Sequence, residues 1–377
     1  MTIDVSIIGA ISEVTTDEWN ALVDKDNPFA CYEFLNALEQ HDCVGQTYGW
    51  LPQHIIVREN GKLIGASPMY LKNNSYGEFV FDWAWADAYH RSGIEYYPKL
   101  VTSIPYTPAT GQRFLIKDKQ HHSEISQLII HAGLQHAKAV GVSSVHWLFT
   151  NEKDTQELEA QNLMLRLGCQ FHWQNKSYIN FDHYLSFFNS KNRKKIKRER
   201  KQVQQQAIEI EIKTGHEMSD SLWKIFHDFY ISTIDKKSGM ATLTLEFFKS
   251  IGTSMPDSVL VLFAKHDEKY VASAFCIRGK NTLFGRHWGC NTKFNSLHFE
   301  LCYYQGLEYC INNGLKRFEP GAQGEHKIYR GFLPTETWSA HWIAHPEFNT
   351  MIRKHVQHER EGMQYYIQDM HSHSPFK

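Results

Sequence analysis

The fold is decided by the stretch Phe299-Glu-Leu-Cys-Tyr-Tyr-Gln-Gly-Leu-Glu-Tyr-Cys-Ile-Asn-Asn-Gly-Leu-Lys-Arg-Phe-Glu319 in the second half of the chain. Its first part, 299–312, predicts a helix that ends at Gly314, because glycine readily adopts the left-handed conformation that follows many helices. Residues 316–319 predict a strand, and residues 282–289 predict another strand before the helix. Since a helical crossover favours parallel pairing of the strands that it joins, the stretch predicts an α/β unit.

The first half of the chain repeats this order of elements. Asn60-Gly61 predicts a hairpin, because this pair supplies the positive φ angles of a type I′ turn. An aromatic strand is predicted at 78–86, a helix at 123–139 and another strand at 144–149. A hairpin at 258–278 occupies the matching place in the second half. The repeated order predicts a mixed α/β (α+β) fold built from two similar subdomains.

The composition is that of a folded protein with balanced charge. The chain has 377 residues, of which 42% are hydrophobic, so it can form the cores of two domains and is not disordered in bulk. The formal net charge of −1 excludes a globally basic nucleic-acid coat protein. We place the two subdomains at 1–185 and 186–377, and the second opens with a basic helix at 186–207.

The cysteines and the apolar segments indicate the compartment. The seven cysteines include no Cys-x-x-Cys pair, which is typical of free thiols in a reducing environment. No stretch approaches the roughly 20 apolar residues of a membrane span. No set of His, Cys, Asp and Glu residues has the spacing of metal ligands. We therefore expect a soluble cytoplasmic protein without a membrane span or a metal site.

A basic run separates the two halves. Residues 191–201 contain eight lysines and arginines among eleven residues, with no glycine or proline, and therefore predict a helix. One interpretation is a solvated helical face. Repulsion between like charges on adjacent turns favours another, in which the helix binds phosphate groups of RNA or of a diphosphate-linked substrate.

The strand that ends the decisive stretch runs into a loop of glycines and polar residues. Gly321 and Gly324 allow the backbone to approach a ligand closely and to present N–H groups. Glu319, Glu325 and His326 are candidate proton acceptors, and loops at strand ends are where α/β folds bind ligands. The alternative is a polar turn whose charges pair with one another. The glycine spacing matches neither a P-loop nor a Rossmann motif.

Two further clusters combine polar and aromatic residues. In the strand before the decisive helix, alternation places Arg286 on the face of Trp288 and His287 on the opposite face, so at least one of these polar side chains needs a partner or a ligand. In the first half, Asp82 and Asp87 lie among aromatic residues, as in the wall of a cleft that binds a sugar, a base or a peptide. An aromatic core with capping carboxylates fits this composition equally well.

The segments that carry a resemblance extend from about residue 25 to 350. They include Gly77-Glu-Phe-Val-Phe-Asp82, Ala86-Asp-Ala-Tyr89, Tyr96-Tyr-Pro-Lys99, Pro105-Tyr-Thr-Pro108, Phe318-Glu-Pro-Gly-Ala-Gln-Gly-Glu-His-Lys327 and Arg330-Gly-Phe-Leu-Pro334. Together they resemble the FemAB-like family of peptidoglycan biosynthesis or recognition proteins, in the superfamily of GNAT-type N-acyltransferases. The resemblance implies two tandem GNAT-like (acyl-CoA N-acyltransferase-like) subdomains.

The resemblance also implies a reaction. Related Fem transferases move an amino acid from aminoacyl-tRNA to the amino group of a peptidoglycan precursor linked to a nucleotide or lipid diphosphate. This implies an N-acyltransferase with no tightly bound cofactor, with acyl-CoA or aminoacyl-tRNA as donor and a small-molecule or peptide amine as acceptor. By the same resemblance Arg193, Lys197 and Arg198 would face phosphate. The loop with which GNAT enzymes hold the coenzyme A pyrophosphate is missing, so the donor stays open.

Such a transfer needs a deprotonated amine and a stabilised oxyanion. We expect Glu319, His326 and Glu325 to serve as catalytic residues, and backbone N–H groups around Gly321 and Gly324 to stabilise the oxyanion. The expected substrate-binding residues are Asp82, Asp87, Tyr106, Arg286, His287, Gln323, Lys327 and Arg330. The alternative function is a non-catalytic module that recognises a cell-wall precursor or RNA.

Overall fold

The computed structural model describes residues 2–236, 239–322 and 324–377. The chain packs as two compact units. Unit 1 comprises Met1–Cys169 and Glu336–Tyr366, and unit 2 comprises Gln170–Thr335 and Ile367–Lys377. These units differ from the ranges predicted for the two subdomains, because residues 336–366 pack with the first part of the chain.

Strands occur throughout the chain. Their bounds are β1 Ile3–Ile8, β2 Trp50–Pro52, β3 His54–Glu59, β4 Lys62–Ser67, β5 Met69–Lys72, β6 Lys99–Thr102, β7 Leu115–Ile116, β8 Ser144–Thr150, β9 Met164–Gln174, β10 Glu209–Thr214, β11 Val259–His266, β12 Lys269–Arg278, β13 Thr282–Cys290, β14 Arg317–Glu319 and β15 Leu333–Ile343.

Helices alternate with these strands, and two tight turns adjoin the candidate site. The helices are α1 Thr16–Asn20, α2 Tyr32–Gln40, α3 Trp83–Arg91, α4 His122–Val140, α5 Glu152–Ala160, α6 Phe181–Ser186, α7 Ser190–Gln205, α8 Asp220–Lys236, α9 Leu245–Ser254, α10 Leu297–Phe299, α11 Gln305–Asn312 and α12 Pro346–Ser372. A π-helical turn, Glu300–Tyr304, joins α10 to α11, and a 3-10 turn, Glu325–Arg330, follows β14. The basic helix α7 lies within the range predicted for it.

Unit 1 arranges its strands in two sets. One has the order β1-β3-β4-β7, and the other has the order β15-β8-β6-β5-β2, in which β6 and β8 are parallel. Helix α4 contributes Ile125 and Ile129, one turn apart, to an apolar core that also contains Ile55, Val145 and Trp147. The burial of these side chains supplies the main free energy that holds helix and strands together.

The predicted hairpin is present in unit 1. Asn60 and Gly61 have φ angles of 48° and 82°, the two positive values that a type I′ turn requires. β3 and β4 pair antiparallel on either side of this turn. The local sequence therefore determines the turn.

The aromatic strand predicted at 78–86 is wrong. The chain is irregular up to Asp82 and then forms helix α3. Trp85 and Tyr89, four residues apart, form the buried face of this helix, whereas Phe81 and Trp83 are exposed. The aromatic residues alternate as in a strand, but burial at helical spacing decides the conformation.

Unit 2 contains the α/β unit predicted from the decisive stretch. Its strands have the order β10-β11-β12-β13-β14-β9. β13 and β14 pair in parallel, with Phe284 opposite Glu319, and α10, the π-helical turn and α11 lie between them in sequence. The predicted mixed α/β fold is confirmed, and the parallel pair directs the carboxyl end of β14 into the glycine loop.

Candidate active site

The loop after β14 has a backbone that requires glycine. Gly321 and Gly324 have φ angles of 98° and 118°, and residues with a side chain rarely adopt such positive values. At Gly324 a Cβ would lie 2.5 Å from Cε1 of His326. Gln323, a predicted substrate-binding residue, lies outside the described residues.

Glu319 ends β14 as a buried carboxylate. Nε of Arg317 lies 3.1 Å from its Oε1, and Nε2 of His172 lies 3.9 Å from its Oε2. Burial lowers the pKa of His172 to about 3, so this imidazole is neutral. Burial also lowers the pKa of Arg286 to about 10, while the negative charge of Glu319 opposes that shift. Glu319 and Arg286 therefore interact electrostatically.

Lys327 and His326 follow each other in the 3-10 turn but differ in exposure. Lys327 is buried, burial lowers its pKa to about 8, and its Nζ donates a hydrogen bond of 2.7 Å to the carbonyl of Gly321. His326 is exposed, and its Nε2 lies 2.9 Å from Oη of Tyr303. Partial burial, followed by the charges of Arg330 and Lys327, lowers the pKa of His326. Its imidazole is thus neutral near pH 7 and able to accept a proton.

Arg330 lies in the interior of unit 2. Its Nη2 lies 2.9 Å from both carboxylate oxygens of Glu199, its Nε donates to Oη of Tyr304, and its Nη1 donates to the carbonyl of His326. Its guanidinium carbon lies 3.5 Å from the ring centroid of Phe299. The predicted role of Arg330 in substrate binding stays a prediction. The observed contacts fix the backbone of His326. Glu325, which begins the same turn, is exposed.

A β-bulge lies at the predicted cluster on β13. His287 pairs with Phe275 and Gly285 pairs with Cys276, so Arg286 is the extra residue of the bulge. The ring of His287 packs 4.9 Å from that of Tyr230, and burial lowers its pKa to about 3. A bulge interrupts the alternation of side chains along a strand. The faces on which Arg286, His287 and Trp288 lie therefore cannot be assigned from the sequence of this strand alone.

Asp82 belongs to a buried ion network in unit 1. Nζ of Lys99 lies 2.5 Å from Oδ2 of Asp82 and 2.8 Å from Oε2 of Glu78, and it donates to Oγ of Ser75. Tyr96 donates a hydrogen bond of 2.6 Å to the same Asp82 oxygen. Burial raises the pKa of Asp82, but Lys99, together with His146 and Ser75, lowers it by more, so the pKa is about 2.

Asp87 and Tyr106 have different surroundings from Asp82. Asp87 is exposed on α3 and pairs with Arg91 at 2.7 Å, one turn along the helix. Tyr106 is half-buried and donates to the carbonyl of Cys43 at 2.7 Å. The structure does not bring Asp82 and Asp87 together. They are five residues apart at the start of α3, and the side chain of Asp82 is buried whereas that of Asp87 is exposed.

Helix α7 presents its positive charge as a stripe. The exposed basic residues that follow one another at intervals of three or four along one face are Lys191, Lys194, Arg198 and Lys201. The opposite face is buried through Asn192, Ile196, Glu199 and Val203. Of the other two predicted phosphate ligands, Lys197 lies 3.5 Å from Asp182, and Arg193 is half-buried.

Acidic side chains offset the repulsion predicted for this helix. Arg200 lies 3.0 Å from Glu300 and 2.8 Å from Glu308, and its guanidinium carbon lies 4.6 Å from the ring centroid of Phe181. The buried Glu199 pairs with Arg330. The stripe stays exposed because these partners engage the other side of the helix.

The sequence profile of the FemAB-like family, described as peptidoglycan biosynthesis/recognition, matches residues 10–377. This chain belongs to the FemAB-like family. No curated protein sequence matches it. The structure of FemX is similar to this FemAB-like protein with a TM-score of 0.56 at 11% identity, covering 94% of this chain and 100% of FemX.

Two other solved structures are similar to this FemAB-like protein. The C-terminal domain of a putative lysylphosphatidylglycerol synthetase from Agrobacterium fabrum has a TM-score of 0.55 at 8% identity, covering 92% of this chain and 97% of that one. A conserved protein of unknown function from Bacteroides thetaiotaomicron has a TM-score of 0.53 at 8% identity, covering 90% and 99%. The family match confirms the predicted membership of the FemAB-like family, and the similarity to these solved structures shows a shared fold.

The sequence predicted an aromatic cleft wall in this part of this FemAB-like protein, but it did not show which of the aromatic residues are exposed. They lie just before and at the start of α3, and they are Tyr76, Phe79, Phe81 and Trp83, with 65%, 40%, 53% and 42% of their surface exposed. Contiguous exposed aromatic side chains are typical of binding surfaces. The signal was present in the sequence, because these aromatic residues alternate with the anchored residues Glu78 and Asp82.

The described residues also bear on metals and membranes. Among them, no group of three or more His, Cys, Asp or Glu side chains is placed to hold a metal ion. None of the helices described here is both long enough and apolar enough to cross a membrane.

Proposed function

We propose that this FemAB-like protein transfers an aminoacyl or acyl group from an activated ester or thioester to the amino group of a peptidoglycan precursor. The observation that carries the proposal is the loop after β14, where the buried Glu319 and the neutral His326 flank two glycines in left-handed conformation. Family membership supports the same chemistry.

In the proposed reaction the amine nitrogen attacks the carbonyl carbon of the donor. Nε2 of His326 lies 2.9 Å from Oη of Tyr303, and this hydrogen bond orients the ring. The other ring nitrogen, Nδ1, takes the proton that the amine loses, and the N–C bond forms as the ester or thioester bond breaks. The imidazolium then gives this proton to the leaving oxygen or sulfur. Glu319 holds the amine, and Arg286 supplies positive charge nearby.

The oxyanion is stabilised by backbone N–H groups of the glycine loop in this proposal. Lys327 holds the loop in place, because its Nζ donates to the carbonyl of Gly321. Lys327 thus acts on the loop conformation in addition to supplying charge.

Aminoacyl-tRNA is the donor that we propose ahead of acyl-CoA. The exposed stripe on α7 covers eleven residues, from Lys191 to Lys201, and its ends lie roughly 15 Å apart at the rise of an α-helix. Such a stripe extends beyond a single pyrophosphate group and suits the backbone of a nucleic acid. The seven cysteines, which include no Cys-x-x-Cys pair, support a cytoplasmic location, where this donor is found.

Glu319→Gln and His326→Ala test the catalytic assignment. Each is expected to lower the transfer rate at least 100-fold, because proton transfer by a positioned group contributes about 10²–10⁴-fold. The matched controls are Glu336→Gln and His358→Ala, which remove the same groups from exposed positions. The rate is measured with aminoacyl-tRNA and with acyl-CoA on a diphosphate-linked muropeptide. Wild-type turnover by both site variants would refute the assignment.

Charge reversal on α7 tests the donor. Lys194→Glu with Arg198→Glu is expected to weaken tRNA binding and to reduce the slope of log affinity against log salt by about two, one for each lost phosphate contact. Lys354→Glu, on the exposed side of α12, is the control. An unchanged slope contradicts the proposed tRNA contact.

The exposed aromatic group in unit 1 favours a second candidate function. Tyr76 and Trp83 have ring centroids 5.2 Å apart and are both exposed, as in a surface that recognises a ligand without chemistry. A non-catalytic recognition module would bind a cell-wall precursor or RNA and leave it unchanged. Calorimetric titration followed by mass spectrometry of the ligand separates this candidate from a transferase.

A further inference from the structure

A pocket of about 300 Å³ lies within unit 1, and none of the residues assigned above lines it. One wall is the segment from the end of α5 to the start of β9, and the other is a face of α12. Its floor is apolar, formed by the buried side chains Leu163, Met164 and Val356. This volume is at the lower end of the range for small-molecule sites.

Two arginines of α12 line the pocket. Arg353 and Arg360 are seven residues apart and therefore lie on the same face of the helix. Nη2 of Arg353 donates to the carbonyl of Asn162 at 3.1 Å, and Nη2 of Arg360 donates to the carbonyl of Leu165 at 2.8 Å. Both guanidinium groups are thus held by the opposite wall before any ligand arrives.

The charge of these arginines is not neutralised locally. Within residues 2–236, 239–322 and 324–377, neither guanidinium has a carboxylate at ion-pair distance, and the buried Nε of Arg360 has no hydrogen-bond partner. Glu159 also lines the pocket and is exposed. The lining side chains therefore carry one excess positive charge. Two guanidinium groups against one carboxylate in the lining favour an incoming anion.

We propose that this pocket binds a small monocarboxylate with an apolar body, of the class of 4-methylpentanoate or a free apolar amino acid. The single charge of a carboxylate matches the excess charge of the lining, whereas a dianionic phosphate would also meet Glu159. A guanidinium pairs well with a carboxylate through parallel hydrogen bonds. The apolar body packs on Leu163 and Val356. For an amino acid, the carboxylate of Glu159 accepts a hydrogen bond from the α-ammonium group.

Isothermal titration of the full chain tests the site with four probes: 4-methylpentanoate, leucine, acetate and inorganic phosphate. We expect one saturable site for 4-methylpentanoate or leucine, and binding at least tenfold weaker for acetate, which has almost no apolar surface to bury. If leucine is preferred and Glu159→Gln removes the preference, the ligand is an amino acid. If 4-methylpentanoate is preferred, it is a simple carboxylate.

Arg353→Gln is the decisive variant, because this side chain contacts an exposed carbonyl and its loss leaves the core intact. Affinity should fall about tenfold or more, since a charge-assisted hydrogen bond is lost. Lys354→Gln removes the same charge one residue away and should bind normally. Thermal melting of each variant verifies that it is folded. No saturable binding of either carboxylate, equal affinity in Arg353→Gln, or tighter binding of phosphate would overturn the proposal.

Discussion

Both units bury charge, but they use it differently. In unit 1, Lys99, Glu78 and Asp82 are almost fully enclosed. In unit 2, Glu319 and Lys327 are enclosed, whereas the neighbouring His326 reaches solvent. The enclosed network fixes the shape of the chain before α3, and the half-open loop leaves a titratable group available for chemistry. Burial of a charged residue alone therefore does not identify a reactive site.

The largest expected effect comes from removing the central cation of unit 1. Lys99→Met leaves Glu78 and Asp82 buried without their shared ammonium group, and breaking a buried pair in this way typically costs about 3–5 kcal/mol. We expect the free energy of unfolding, measured by urea denaturation at pH 8, to fall by about 5 kcal/mol. A loss below about 1 kcal/mol would mean that the network does not stabilise unit 1.

Removal of the corresponding cation in unit 2 is expected to cost less. Arg330→Met leaves one buried carboxylate, that of Glu199, without its cation, whereas Lys99→Met leaves two. The methionine side chain can still pack on Phe299. We expect a loss of about 3 kcal/mol under the same conditions. A loss larger than that of Lys99→Met would reverse the comparison.

One buried group in each unit is expected to contribute to the pH dependence of stability, and the two contributions have opposite signs. Burial raises the pKa of Glu78 from 4.5 to about 7, so between these values the folded state holds a proton that the unfolded state has released. This group makes the free energy of unfolding fall as pH rises from 4.5 to 7. Burial lowers the pKa of His287 from 6.5 to about 3, so this group makes the free energy of unfolding rise between pH 3 and 6.5.

Glu78→Gln and His287→Asn test these signs. Relative to the wild type, the first should make the free energy of unfolding fall less between pH 4.5 and 7. The second should make it rise less between pH 3 and 6.5. Denaturation curves collected across pH 3–8 provide the measurement, and a change of the same sign in both variants would contradict the cause assigned to one of the shifts.

The smallest effect is expected at Asp87. Its pair with Arg91 is exposed at both ends, and such pairs contribute about 0–1 kcal/mol. Asp87→Asn should change the free energy of unfolding by less than about 0.5 kcal/mol, whereas Asp82→Asn should cost about 2 kcal/mol, because it weakens the bond to Lys99. Equal effects at the two positions would show that burial does not separate these aspartates.

Local patterns allowed the prediction of local features. The turn at Asn60-Gly61, the stop at Gly314 and the parallel pair β13 and β14 follow from residue type and element order. The ion network around Lys99 could not be predicted, because its partners are separated along the chain and meet only after folding. The bulge at Arg286 depends on pairing with β12, which the sequence of β13 alone does not encode.

Arg330 connects the helix that carries the basic stripe to the candidate catalytic turn. Its Nη2 bonds Glu199 on α7, and its Nη1 bonds the carbonyl of His326. In the proposed function, the helix that binds the donor and the turn that carries the proton acceptor are therefore held by one shared side chain.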